Sequence, residues 1–144
     1  MRPVSSPEGE KILAPDHAKR LLQACPDIAN WAKSWRYDEA DIAVGQEIVA
    51  VFTPFLVDLI DQGLARKTFA RHRDNLWTLG GELIRRRYDD QALARKNAWD
   101  AIRELVIDDA APLIYPRISE SQQDSLDATC RKLNRFLRGD SAKP

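Results

Sequence analysis

Apolar residues recur along most of this chain with a period near 3.6, and no segment alternates apolar and polar positions for long. From about Asp16, which reads as an N-cap, Ala18, Leu21 and Leu22 mark a first helix that Pro26 interrupts. Ile28, Trp31, Ala32 and Trp35 then follow at helical spacing. Between Asp41 and Gln62 a broad apolar face is made by Ile48, Val51, Phe52, Phe55, Leu59 and Ile60, with Pro54 inside it as an expected kink. Gly63 suits a left-handed cap, and Leu64 suits the packed position after it. From Arg66 to Arg87, Phe69, His72, Leu76, Leu79, Gly80 and Leu83 share one stripe, opposite Lys67, Arg71, Asp74, Thr78 and Arg85. Glycine inside a helix costs about 1 kcal/mol, so the Gly80-Gly81 pair predicts a close helix crossing. Ala94, Ala98, Ile102 and Leu105 predict one helix over Asp90 to Ile107, followed by a proline-containing loop from Asp108 to Ile118. Ser119 and Gln122 form a capping-box pattern for a last helix with Leu126, Cys130, Leu133 and Leu137 as its stripe and Gly139 as its stop. The pattern predicts an all-α fold, a compact bundle of five or six helices, with Phe55, Leu59, Phe69, Leu76, Leu83, Leu133 and Leu137 in one core.

The 144 residues suit one domain, placed at 16–140, and are enough to bury a core without disulfides or metals. Residues 1–15, rich in Pro, Ser, Gly and charge, read as a flexible tail, and 141–144 as a second. No run of 18 consecutive apolar residues predicts a membrane span, and the first eleven residues lack the apolar stretch of a signal peptide. A cytoplasmic location is the expectation. There Cys25 and Cys130, far apart and unaccompanied, read as buried thiols.

Candidate chemistry is sparse. The two histidines, His17 and His72, are 55 positions apart, and no Cys or His pair has ligand spacing, so neither a metal nor a cofactor is expected. His72 falls on an apolar stripe and reads as packing. His72-Arg73-Asp74 imitates the start of a kinase catalytic loop, but Leu79 stands where that loop needs asparagine, and no phosphate-covering glycine loop is present. With no nucleophile elbow, and with acidic pairs such as Asp89-Asp90 at helix ends, no catalytic residue is assigned and the chain reads as no enzyme.

Charge changes the picture by its distribution. Net charge is zero, yet residues 63–87 carry seven basic and two acidic side chains, against a balance of −4 before them and −1 after. Arg66, Lys67, Arg71 and Arg73 crowd the start of one helix, where positive charge opposes the helix dipole and is not a stability device. Arg131, Arg135 and Arg138 form a row on the last helix. Guanidinium rows suit phosphate contacts. The other open reading is a protein-partner surface at Trp31, Trp35 or Trp77, although tryptophans at this spacing also suit a core.

Gly63-Leu64-Ala65-Arg66-Lys67-Thr68, followed by Phe69, His72 and Leu76, resembles the core-binding, SAM-like domain of tyrosine recombinases and phage integrases. Phe55 to Ile60 resembles the first helix of that domain, and Leu126 to Leu137 its closing helix, so the resemblance covers roughly residues 45–138 in matching order. Ala65 stands where the family carries a capping serine, and the 144 residues hold no second domain with the family's Arg, His-x-x-Arg and Tyr. The resemblance implies double-stranded DNA clamping without strand cleavage, in a mobile element or its regulation, with Arg66, Lys67, Arg71, Arg73, Arg131 and Arg135 on the phosphates.

Overall fold

The computed structural model describes residues 15–139, and every regular element among them is helical. Helix α1 spans Pro15–Ala24, and a 3-10 turn at Ile28–Asn30 leads into α2, Trp31–Trp35. Then follow α3 (Asp41–Asp61), α4 (Arg66–Arg87), α5 (Gln91–Ala94), α6 (Ala98–Leu105) and α7 (Glu120–Leu137). The expected tails at 1–14 and 141–144 lie outside the described residues. Pro15 does not belong to a tail: it opens α1, and Asp16 lies in the first turn rather than at the cap.

The helix expected over 90–107 is two helices. Asp90 caps α5 by accepting from Leu93 N, and Asn97 starts α6 by accepting from Asp100 N at 2.8 Å. A side-chain acceptor at Asn97 satisfies amides that a fresh helix leaves open, so the chain turns there instead of continuing. This split raises the helix count to seven among the described residues. The last helix begins as its pattern predicts, with Ser119 and Gln122 in a reciprocal capping box, and Gly63 adopts the left-handed φ of 68° that ends the turn after α3.

α3 is the central element, packed against α1, α2, α4 and α6. It runs through Pro54 and buries Ile48, Phe52, Phe55, Leu56 and Leu59. By length and composition it could cross a membrane, because its mean hydropathy is high without 18 consecutive apolar residues; here its apolar face lines the core. All seven residues predicted for that core are buried in one cluster. Asp41 anchors the start of α3: its carboxylate accepts from the amides of Tyr37 and Asp38 and from Tyr88 Oη at 2.6 Å, which ties α3 to the end of α4.

Two contacts set the position of α4. Trp35 of α2 lies against Gly80, where a Cβ would fall 2.3 Å from the indole ring, and its Nε1 donates to the Trp77 carbonyl at 2.9 Å. The glycine pair is therefore a close crossing. Two residues further on, Glu82 is buried and accepts from Arg85, Arg86 and Arg117 at 2.6 to 3.2 Å. Arg86 also donates to Leu113 O, and Gln123 holds Ile114 N, Tyr115 N and Pro112 O. The long loop between α6 and α7 is thereby strapped to the bundle by side chains.

Two outcomes test this packing. Gly80→Ala should destabilise the protein by about 1–3 kcal/mol in urea unfolding, because the clash with a fixed indole outweighs the helix propensity gained. Equal or greater stability would refute the crossing. For Glu82, burial alone would raise the carboxyl from 4.5, but the three guanidinium hydrogen bonds outweigh it and hold it at about 2. Its stabilisation is complete above pH 4.5 and is lost as pH falls from there through about 2, since the unfolded chain takes the proton first. Glu82→Gln should cost about 3–5 kcal/mol at neutral pH, by leaving three arginines without their counterion, and should flatten the acid limb of a stability–pH profile.

Candidate nucleic-acid interface

α4 and α7 meet along a polar seam. His72 Nδ1 lies 2.7 Å from Thr129 Oγ1, and the same hydroxyl accepts from Asn75 Nδ2 at 2.8 Å. Asn75 also reaches Ser125 Oγ and its carbonyl. Going forward along α4 means going backward along α7, so the helices run antiparallel and the start of α4 lies beside the end of α7. A hydroxyl that accepts from Asn75 keeps its own proton for His72 Nδ1, which suits a neutral imidazole protonated at Nε2. Burial pushes the His72 pKa down to about 4, with Lys132 and Arg71 adding to the effect. His72 is 3% exposed and is a packing residue of this seam, as its stripe predicted.

The antiparallel arrangement decides which cations come together. Lys67 and Arg71 are exposed on the outer side of α4. Lys132 of α7 faces the same seam and shares the surroundings of His72 with Arg71. Arg131 and Arg135 are exposed on the far flank of α7, beside Asp109. Asp109 accepts from Asn134 Nδ2 at 2.7 Å, and Arg135 approaches it at 4.0 Å. That hydrogen bond first, then the charges of Arg135, Arg138 and Arg131, hold the Asp109 carboxyl below its usual range.

The other two predicted residues sit elsewhere. Arg73 turns toward α1, donating to Ala24 O at 3.1 Å and pairing with Asp74 at 3.0 Å, and is half-buried. Its guanidinium closes the carbonyl end of α1. Arg66 is exposed but lies in a groove with Arg20 and Arg73 on that same α1 side. Conversely, Lys132 was missed by the sequence reading, since it sits off the arginine row and only the docking of α7 on α4 brings it to Arg71.

Pairing separates the basic residues into two sets. Among the described residues, Arg20, Arg36, Arg85, Arg86, Arg87 and Arg117 each have a carboxylate within 4.0 Å. Lys67, Arg71, Arg131 and Lys132 have none among the described residues. Lys19, Lys33, Arg66, Arg95 and Arg103 have none either, so an unpaired charge is not peculiar to this region; what sets it apart is that helix docking brings Lys132 to Arg71.

The tryptophans divide differently from the open reading above. Trp31 and Trp35 are buried, packed on each other at 5.9 Å, and present no partner surface; Trp77 alone of the three is exposed, at 45%. Both cysteines are buried, with burial pushing Cys25 up to about 11 and Cys130 higher still. Among the described residues no group of three His, Cys, Asp or Glu side chains could hold a metal ion. Compared with known proteins, the chain matches no family model, no curated protein and no solved structure.

The seam makes its own prediction. The folded protein resists protonating His72 until about pH 4, whereas the unfolded chain takes that proton near 6.5, so stability falls as pH drops between those values. His72→Gln keeps a polar partner for Thr129 and should flatten the stability–pH profile in that window. An NMR titration of His72 with a midpoint near 6.5 would contradict the buried, neutral assignment.

Proposed function

We propose that this protein is a non-catalytic, cytoplasmic DNA-binding module that grips the phosphate backbone of a duplex through Lys67, Arg71, Arg131, Lys132 and Arg135. One observation carries the reading: Arg71 and Lys132 come together where the start of α4 meets the end of α7, with Lys67 one turn away and Arg131 and Arg135 on the other flank of α7, and four of the five have no carboxylate partner among the described residues while most arginines elsewhere are paired. Unpaired guanidinium and ammonium groups suit phosphate oxygens. The likeness of Gly63 to Leu76 and of the closing helix to recombinase core-binding domains supports the same reading, including a link to mobile elements. A protein of neutral net charge can still steer an anionic partner with a focused patch.

A second reading, a protein-interaction module, is favoured by the strapped loop after α6. It holds Leu113 and Tyr115 outward, with Ile107 exposed just before it. Side-chain hydrogen bonds preorganise the loop, so presenting these apolar groups costs little entropy on binding.

A salt titration of duplex binding separates the two. Five phosphate contacts predict a log–log slope of about −4 to −5, and the Lys67→Ala, Arg71→Ala, Lys132→Ala variant should reduce its magnitude by about 3 without loss of fold. Sequence preference should be weak, because few base-reading side chains accompany the cations. Absence of binding at low salt, or an unchanged slope in the variant, would overturn the DNA reading in favour of the loop.

A further inference from the structure

Trp77 borders two cavities. Its Nε1 donates to Ser34 Oγ across the gap from α4 to α2 at 2.9 Å, and Ser34 Oγ donates to Trp31 O at 2.6 Å, so the indole is held in place although it is exposed. One, of about 760 Å³, reaches Cys25, Asp27 and Asn30. The other, of about 410 Å³, is bounded by Trp35, Tyr37, Gly81, Arg36, Arg85 and Arg117. Ser34, Trp77 and Thr78 border both.

Charge distinguishes the two. In the larger cavity Arg73 is paired with Asp74, and Asp27 leaves the lining acidic. In the smaller one Arg36, Arg85 and Arg117 face the single carboxylate of Glu82, with Glu39 and Asp89 touching Arg36 and Arg85 only at 4.0 and 3.7 Å. Arg117 reaches Glu82 through Nη2 alone and is half exposed. The smaller cavity therefore joins a fixed aromatic ring to the half-exposed guanidinium of Arg117, which engages Glu82 through one nitrogen only, at a volume within the range of small-ligand sites.

Its position adds a direction. Lys67, Arg71, Asp74, Thr78 and Arg85 lie on one outer side of α4, with the Asp74 carboxylate held by Arg73 at 3.0 Å, and from Arg71 to Gly81 the helix rises about 15 Å. A strand whose phosphates lie on Lys67 and Arg71 can run along α4 into this cavity.

We propose that the smaller cavity binds one unpaired nucleotide, its base stacked on the Trp77 indole and its phosphate on Arg117. This rests on the DNA reading and makes the substrate a duplex with a single-stranded extension. A ring stacked on a fixed indole tolerates any base, because every base offers a π-face. The acidic lining of the larger cavity disfavours the phosphate there.

The test compares a blunt duplex with the same duplex carrying a five-nucleotide overhang, by fluorescence anisotropy, and measures tryptophan quenching by adenosine monophosphate and by adenosine. The overhang should bind about tenfold tighter than the blunt duplex, as expected for one stacked base. Trp77→Leu should abolish that preference and leave blunt-duplex affinity unchanged, while Trp77→Phe should restore part of it. Arg117→Gln should remove the preference for adenosine monophosphate over adenosine. Equal affinity for both duplexes, with no saturable quenching by adenosine monophosphate, overturns the nucleotide site and leaves the duplex reading standing. Saturable quenching without binding of either duplex supports the site and overturns the duplex reading.

Discussion

A carboxylate removed from water must bring its counterions with it, and much of this bundle is arranged around that need at Glu82. Its three guanidinium partners come from the end of α4 and from the loop before α7, so one buried charge joins two regions about 35 positions apart. Arg86 uses its remaining donors on the Leu113 carbonyl, which carries the constraint into the middle of the loop. Removing the acid would leave three closely spaced, partly exposed guanidinium groups without their shared counterion. The arginines at the end of α4 thus serve as internal ties, and they also complement the dipole of the helix they end.

The Trp35–Gly80 crossing solves a different problem. A short helix such as α2 has little surface to bury, and one indole pressed onto a glycine backbone gives it a large contact at a single point. The hydrogen bond from Trp35 Nε1 to the Trp77 carbonyl satisfies the polar edge of the buried ring. The neighbouring pair, Trp77 and Ser34, repeats the bridge at the surface. Two tryptophans thereby do opposite things: one fills the crossing, and the other is braced so that its ring faces stay available.

The cations that remain are those with no structural task among the described residues. Arg73 closes α1, Arg87 pairs with Asp41, and Arg20 spans Asp16 and Asp61. Lys67, Arg71, Arg131 and Lys132 hold nothing in place. Charge kept without an internal partner is charge available to an external one, and at the α4–α7 ends docking also brings such charges together, as at Arg71 and Lys132, whereas the arginine run at 85–87 is held by Glu82, Asp89 and Asp41.

Helical periodicity by itself determined the all-α class, the ends of α4 and α7, and the core, because burying a stripe at period 3.6 is a local property of the sequence. The Gly80-Gly81 pair already announced a crossing, although nothing local said which side chain would fill it. Capping chemistry at Asn97 outweighed the apolar register across 90–107, so one expected helix became two. Charge counting placed a basic segment at 63–87 but could not sort its members. Only the tertiary structure turned Arg73 inward, set Arg66 on the α1 side, buried Trp31 and Trp35, and brought Lys132 to Arg71. Those outcomes depend on which helices dock and in which direction, through contacts such as His72 with Thr129 that join residues 57 positions apart. Local pattern specifies a helix and its buried face, whereas the partner of each exposed charge is a property of distances that exist only once the helices have packed.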